Sequence, residues 1–234
     1  TSQFKGKSKR GLYGDVIEEI DYNVGRVLDA IEEMNLTKNT YVLFTSDNGP
    51  TYDIGGVDPH HFNSAGPFNT GRGWGKGFTH EGGIRVPMIA TWPNQIAANK
   101  ITTHISAFWD VFPTLAEVVG YKDTKQRDGI SFLPTLHGTK QSEHDYLYWE
   151  FYEQGSKQAL RAGKWKAIRR PMHTGPIELY DISKDIGEKT DIAAQHPDII
   201  SGFEQIFTNA HTPNKRWRPS GKPRNREQEQ SEGR

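Results

Sequence analysis

The segment YVLFTSDNGP, residues 41–50, joins a run of strand-forming residues to an abrupt polar end. The run at residues 40–45 shows no alternation of apolar and polar side chains, which is typical of a strand covered on both faces. Asp47 and Asn48 follow it directly. Because ligands of open α/β sheets bind beyond the carboxyl ends of the strands, these two side chains occupy a position suited to binding.

The sequence predicts a helix before this strand, and a second strand and another helix after it. Between residues 11 and 34, apolar side chains recur at three- and four-residue steps with acidic ones between them, the pattern of an amphipathic helix. A second apolar strand is predicted within residues 84–93. It is followed by a helix with Pro113 in its first turn and Gly120 just after its end. Helix, short turn and buried strand indicate α/β layering.

The sequence changes character after Tyr146. Short aromatic and β-branched runs separated by turn residues predict a small antiparallel sheet, and residues 196–211 predict a terminal helix. Residues 212–234 are rich in Pro, Arg, Lys, Gln and Glu and predict a disordered tail. We therefore divide the chain into an α/β part at 1–140, a small α+β subdomain at 141–211 and a tail at 212–234.

The predicted fold class is α/β, with a partial mixed or parallel sheet between helices and a small C-terminal antiparallel sheet plus helix. Before Tyr146 the sequence offers two strands and a third around residues 101–106. So few strands leave unpaired edges, which proteins normally avoid. We therefore expect this chain to be part of a larger fold.

Composition excludes several kinds of site. The chain has 234 residues, with 29 Lys and Arg balanced by 29 Asp and Glu, so its charge favours neither a nucleic acid nor a membrane surface. It has no cysteine, which excludes disulfides, thiolate zinc sites and cysteine nucleophiles. Any metal ion must therefore be bound by oxygen or imidazole. No apolar run approaches the roughly 20 residues that a membrane-spanning helix needs.

Asp47 and Asn48 offer a carboxylate and an amide carbonyl, the hard oxygen donors that Ca²⁺ and Mg²⁺ prefer. Gly49 allows the backbone to turn directly after them. The alternative is a purely structural Asx turn, for which Asn followed by Gly is well suited.

The second candidate segment is GRGWGKGFTHEGGIRVP, residues 71–87. Lys76 lies between two glycines, which lets the backbone and the ammonium group approach an anionic oxygen closely. The segment is not a phosphate-binding P-loop, because Thr70 stands where that motif requires Gly. A flexible glycine-rich surface turn is the alternative. We expect Glu81 and Arg85 to brace this loop rather than to react.

Several blocks of the chain, spread from about residue 11 to 200, together resemble the C-terminal half of the proteins of one enzyme family. The chain is similar to type I sulfatases, the arylsulfatase-like family of the alkaline phosphatase superfamily. The blocks are TYVLFTSDNGP, GKGFTHEGGIRVPMIATWP, FWDVFPTLAEVVG, DGISFLPTL, RAGKWKAI and LYDISKDIGEKTDIAAQHPDII.

This resemblance implies roles for individual residues. In that family the Asp-Asn pair supplies two ligands to an active-site calcium ion, which assigns Asp47 and Asn48 to the metal. The lysine of the GKG block contacts the sulfate and the leaving group, which gives Lys76 a catalytic and substrate-binding role. His80 is expected to contact substrate, with a loop histidine hydrogen-bonded to backbone as the alternative. The implied substrate is a sulfated small molecule or glycan, and the implied location is secreted or periplasmic.

The chain departs from the family in one respect. The family's nucleophile is a formylglycine made from Cys or Ser in a C/S-x-P-S-R block, preceded by an Asp-Asp pair that completes the metal shell. Neither block occurs here. We therefore expect the nucleophile to lie upstream and the chain alone to be inactive. Two alternatives are a phosphomonoester or phosphonate hydrolase of the same superfamily and a noncatalytic fragment that binds anions or glycans.

Overall fold

A computed structural model describes residues 1–51, 62–69, 74–122, 125, 127–214 and 216–217. Most of the predicted tail at 212–234 lies outside these residues. The chain divides into two compact units. Residues 1–45 and 87–143 form the first unit, and residues 46–86 and 144–234 form the second. The loop that carries Lys76 thus belongs to the same unit as the C-terminal sheet.

The first unit begins with the predicted amphipathic helix, α1, at Gly11–Glu33. Asp15 in its first turns is buried, and its carboxylate accepts hydrogen bonds from the backbone N–H groups of Gly6 and Ser8 at 2.7 and 2.8 Å. This contact ties the N-terminal turns to the helix. After α1, Asn35 adopts a positive φ of 56°, a conformation that Asn tolerates better than most residues, and the chain turns towards the first strand.

Two strands follow in this unit, β1 at Val42–Thr45 and β2 at Met88–Thr91. They pair antiparallel, with Val42 opposite Thr91, whereas the sequence predicts a mixed or parallel sheet. Apolar runs without alternation carry no information about strand direction, which explains the difference. Residues 101–106, all of which are described, form no strand, so the third predicted strand is wrong.

The predicted cover on both faces of these strands is not provided by the described residues. Phe44 in β1 is 40% exposed and Ile89 in β2 is 62% exposed. In α1, Leu12 is 67% exposed and Val27 is 60% exposed. Both elements therefore carry apolar side chains suited to burial that face solvent in this chain.

The rest of the first unit is helical. A 3₁₀ turn at Phe108–Asp110 leads into the helix Val111–Val118. This helix is labelled α3, because the short helix Glu81–Ile84 of the second unit, α2, precedes it in the chain. Pro113 lies in its first turn and Gly120 follows its end with φ of 69°, as predicted. A further short helix, α4, spans Leu133–Leu136. The carboxylate of Asp110 accepts the backbone N–H of Ile130 at 2.8 Å and so links α3 to the segment before α4.

The second unit contains the short helix α2 at Glu81–Ile84 and the predicted antiparallel sheet. Its four strands pair in chain order: β3 Leu147–Phe151, β4 Lys157–Ala162, β5 Trp165–Arg169 and β6 Ile177–Asp181. Helix α5, at Pro197–Ala210, packs on one face of this sheet. The buried side chains of that contact are Leu160, Ala167, Ile177, Leu179, Phe203 and Phe207.

The α/β class is confirmed, and so are the C-terminal antiparallel sheet and the helix that follows it. None of the described helices combines the length and the hydropathy that a bilayer-spanning segment requires.

Candidate functional site

The residues after β1 form a tight polar turn. Ser46 Oγ donates to the Asn48 carbonyl oxygen at 2.9 Å, and the Asn48 backbone N–H donates to Asp47 Oδ1 at 3.0 Å. The Asn48 Nδ2 group donates to the Gly49 carbonyl oxygen at 2.9 Å. Within the described part of the chain, Asp47 Oδ2 and Asn48 Oδ1 accept no hydrogen bond. These hydrogen bonds hold the turn, but none of them joins an Asp47 or Asn48 side-chain oxygen to the N–H two residues on, which is what defines an Asx turn. One oxygen of each side chain stays available to a ligand.

Backbone hydrogen bonds join this turn to the loop that carries Lys76. The Lys76 N–H donates to the Pro50 carbonyl oxygen at 3.0 Å, and the Gly49 N–H donates to the Gly83 carbonyl oxygen at 2.9 Å. Pro50 lies three residues after Asp47. The structure thus brings the two predicted segments side by side, and Lys76 itself is exposed.

This close approach of two backbones explains the glycines of both segments. A Cβ atom on Gly49 would lie 1.8 Å from the Gly82 carbonyl oxygen, and one on Gly75 would lie 2.5 Å from the Pro50 carbonyl oxygen. Both distances are far below any van der Waals contact. Packing therefore requires glycine at residues 49 and 75, and a freely flexible surface turn does not describe these two positions.

His80 lies at the start of α2 and is only 1% exposed. Its ring centroid lies 4.1 Å from that of Trp74, and its Nε2 atom lies 3.9 Å from Glu178 Oε2, beyond hydrogen-bonding distance. Neither ring nitrogen has a hydrogen-bond partner among the described residues. Burial lowers the pKa of His80, which favours the neutral ring. The ring therefore makes no hydrogen bond to the backbone of the described residues, which was the predicted alternative. The contact of His80 with substrate stays a prediction.

The next residue, Glu81, is the centre of a buried ion network. Glu81 is 2% exposed, and its carboxylate contacts Lys166 Nζ at 2.9 Å, Arg85 Nη1 at 3.3 Å and Arg161 Nη1 at 3.5 Å. Burial by itself raises the pKa of Glu81, but the positive charges of Lys166 and Arg161 lower it by more. The net pKa lies below the ordinary value, so the carboxylate is ionised. Glu81 thus anchors α2 to Arg161 of β4 and Lys166 of β5, while Arg85 pairs with Glu81 within the same loop.

A second buried carboxylate, Glu188, supports the same helix. Its Oε2 atom accepts the Glu81 backbone N–H at 2.7 Å, while Oε1 has no hydrogen-bond partner among the described residues. Burial raises the pKa of Glu188 to about 7. Sequence reasoning missed both Lys166 and Glu188 as supports of this loop. They lie 85 and 107 residues from Glu81 along the chain, and no local pattern connects them.

A complete metal site is not formed by the described residues alone. They contain no group of three or more His, Asp or Glu side chains placed to hold a metal ion. Asp47 and Asn48 would supply two oxygen ligands, whereas Ca²⁺ takes six to eight. Any calcium bound here would need further ligands from elsewhere.

Comparison with known proteins gives consistent matches along the chain. A family model described as "Sulfatase" matches residues 1–121, and one described as "N-sulphoglucosamine sulphohydrolase, C-terminal" matches residues 71–209. An N-acetylgalactosamine-6-O-sulfatase of Bacteroides thetaiotaomicron is 31% identical over 90% of this chain and 44% of its own length. The steryl-sulfatase of Mus musculus is 38% identical over 86% of this chain and 37% of its own length.

A solved structure from Bacteroides thetaiotaomicron, described with its metabolism of multiple glycosaminoglycans, has the same fold. It superposes with a TM-score of 0.74 at 29% identity, over 89% of this chain and 46% of that one. This chain therefore spans less than half the length of each of the three proteins named.

Proposed function

Because this chain belongs to the sulfatase family of sulfuric ester hydrolases, we propose that the whole protein hydrolyses sulfate esters. Residues 46–51 and 74–86 contribute one side of its active site. The observation that carries this proposal is the pair of backbone hydrogen bonds that joins the Asp47–Asn48 turn to the Lys76 loop. It holds two candidate oxygen ligands and one ammonium group on neighbouring segments.

Lys76 provides positive charge where the reaction develops negative charge. A sulfate monoester carries charge on its nonbridging oxygens, and the leaving oxygen gains charge as the S–O bond breaks. An ammonium group with three N–H donors stabilises both, provided that it is held in place before the reaction. The backbone hydrogen bond to Pro50 and the glycines on either side fix the loop around Lys76 and leave its side chain free to reach the substrate.

Asp47 and Asn48 fit a calcium ion by their chemistry. Both offer hard oxygen atoms, and one oxygen of each accepts no hydrogen bond from the described residues. Bound calcium would neutralise charge on the sulfate oxygens. The formylglycine and the remaining calcium ligands are proposed to come from residues outside these 234, since the chain has no cysteine and no C/S-x-P-S-R block.

The exposed apolar faces of the first unit support such an additional part. Leu12 and Val27 on α1 and Ile89 on β2 are each at least 60% exposed, although their sequences are those of covered elements. We propose that residues 1–140 form the C-terminal part of a catalytic α/β domain whose other part covers these faces. Residues 141–211 then form its small C-terminal subdomain.

For the substrate, we propose a sulfated carbohydrate. The relative that matches 90% of this chain is named for a sulfated amino sugar, which favours a sugar over the sterol named for the mouse relative. Both are sulfatases, so a sulfate ester is favoured over a phosphate or phosphonate ester. By family resemblance, we place the whole protein outside the cytoplasm, secreted or periplasmic.

The test compares the complete protein with its Lys76→Ala variant on 4-nitrophenyl sulfate. Removing one preorganised donor to a developing oxyanion typically costs about 100-fold or more in kcat, so we expect at least that loss. Lys184→Ala, at an exposed lysine of the same unit, should retain full activity. A Lys76→Ala variant within about threefold of wild type would contradict the assigned role. Turnover by the 234-residue chain alone would contradict the proposal that the nucleophile lies outside it.

A further inference from the structure

The turn between β3 and β4 lies directly against the Lys76 loop. We propose that this turn recognises the leaving group of the substrate, with the carboxamide of Gln154 as the contact that determines specificity. The proposal rests on the proposed sulfatase function and adds to it a residue and a substrate chemistry. The expected partner is a hydroxyl or amide group on a sugar, next to the sulfate ester.

The position of Gln154 is defined by its contact with Gly77, the residue after Lys76. Both Oε1 and Nε2 of Gln154 would lie 3.0 Å from a Cβ atom built on Gly77, so the carboxamide occupies the space that a side chain there would need. Gly77 also has a φ of 85°, which favours glycine. The carboxamide therefore packs on the backbone immediately beside the proposed sulfate-binding lysine.

The hydrogen-bonding groups of this carboxamide are available. Gln154 is exposed, and among the described residues no partner binds its Oε1 or Nε2 atom. A carboxamide offers one acceptor oxygen and two N–H donors, which match the hydroxyl and N-acetyl groups of sugars. It carries no charge, so it neither repels a sulfate nor competes with Lys76 for it.

The conformation of the turn is unusual for its sequence. Gln154, Gly155 and Ser156 have successive φ values of 52°, 87° and 54°. Positive φ is uncommon outside glycine and is tolerated best by Asn and Asp, so turn formation alone does not explain Gln and Ser at these positions. Residues in such sparsely populated conformations cluster at binding and active sites.

Lys157 holds this turn against the Lys76 loop. Its buried ammonium group donates to the carbonyl oxygens of Gln154 at 2.9 Å and Glu153 at 3.3 Å. The same nitrogen lies 4.6 Å from the ring centroid of Phe78, which belongs to the Lys76 loop, and 4.9 Å from that of Phe151 in β3. One cation thus links the turn backbone to an aromatic side chain two residues after Lys76. The backbone of the turn is therefore held in place before substrate arrives, and it positions the Gln154 side chain beside Gly77.

The experiment uses steady-state kinetics of the complete protein and its Gln154→Leu variant on two kinds of substrate. The sugar probes are N-acetylgalactosamine 6-sulfate and N-acetylglucosamine 6-sulfate, and the aryl probe, 4-nitrophenyl sulfate, has no hydroxyl or amide next to its ester. Loss of one hydrogen bond to substrate should lower kcat/KM on the better sugar sulfate about tenfold, mainly through KM. Activity on the aryl sulfate should stay within twofold. Gln205→Leu, at an exposed glutamine on α5, is the matched control and should change neither.

The outcomes separate this inference from the proposed function. Equal losses on both kinds of substrate, or no loss on either, would overturn the role of Gln154 and leave the sulfatase proposal intact. Aryl sulfate turnover without any sugar sulfate turnover would do the same. A wild-type protein that hydrolyses none of the probes would contradict the proposed function itself. Gln154→Glu, which keeps the shape but replaces the donor by a charged acceptor, provides a second variant if Leu impairs folding, and it should lose at least as much on the sugar.

Discussion

The ion pair between Lys166 and Glu81 gives the sharpest stability prediction. Lys166 is fully buried, its Nζ atom lies 2.9 Å from Glu81 Oε1, and it lies 5.0 Å from the ring centroid of Trp149. Lys166→Met keeps a side chain of similar length and removes the charge. The carboxylate of Glu81, itself 2% exposed, then loses its shortest ionic contact.

Removing one partner of a buried ion pair typically costs about 3–5 kcal/mol, because the other charge stays buried without compensation. Arg85 and Arg161 remain 3.3 and 3.5 Å from Glu81 and compensate part of its charge, so we expect a loss near the lower value, about 3 kcal/mol. Lys164→Met is the matched control on the same hairpin. The Lys164 side chain is 48% exposed, and Asp181 keeps its hydrogen bonds from Ser183 when Lys164 is replaced, so this substitution should cost at most about 1 kcal/mol.

The measurement is urea unfolding of the full chain at pH 7 for wild type, Lys166→Met, Glu81→Gln and the double variant. The stability losses of substitutions at two residues in direct contact do not add. The double variant should therefore lose at least about 1 kcal/mol less than the sum of the two single losses. A Lys166→Met loss below about 1 kcal/mol, or full additivity, would refute the view that this pair anchors α2 to the sheet.

Two further predictions concern carboxylates of the same unit. Burial raises the pKa of Glu188 from its ordinary value of 4.5 to about 7 in the folded state. The folded state therefore binds more protons between these values, and stability should fall as pH rises from about 4.5 to 7. Glu188→Gln should remove that part of the pH dependence, up to about 3 kcal/mol at 1.36 kcal/mol per pKa unit. Urea unfolding from pH 4 to 8 covers this range. The buried His80, whose lowered pKa acts in the opposite direction, contributes equally to both proteins, so its effect cancels in the comparison with wild type. Parallel pH profiles of the two proteins would rule out this role of Glu188. Calcium should raise the melting temperature of the chain only slightly, because two ligands bind the ion weakly. Asp47→Ala should abolish this shift, whereas Asp29→Ala, at an exposed control position, should retain it. A shift that survives in Asp47→Ala would exclude Asp47 as a ligand.

Local sequence was sufficient for the elements whose pattern is short in range. Apolar steps of three and four residues predicted α1, and Pro113 and Gly120 predicted the limits of α3. Aromatic runs between turns predicted the C-terminal sheet. The residue types of segments 46–50 and 71–87 suit ordinary turns as well as a binding site, and it was their resemblance to a known family that marked both as segments of the candidate site.

The direction of β1 and β2, the absence of a strand at residues 101–106, and the supports of α2 were decided by tertiary structure alone. Strand pairing, and the burial of Glu81 with Lys166 and Glu188, depend on segments far apart in the chain that meet only after folding. Periodicity and turn residues describe what one segment prefers by itself. The free energy of a buried charge depends on which other groups surround it, and the chain acquires those neighbours only when it folds.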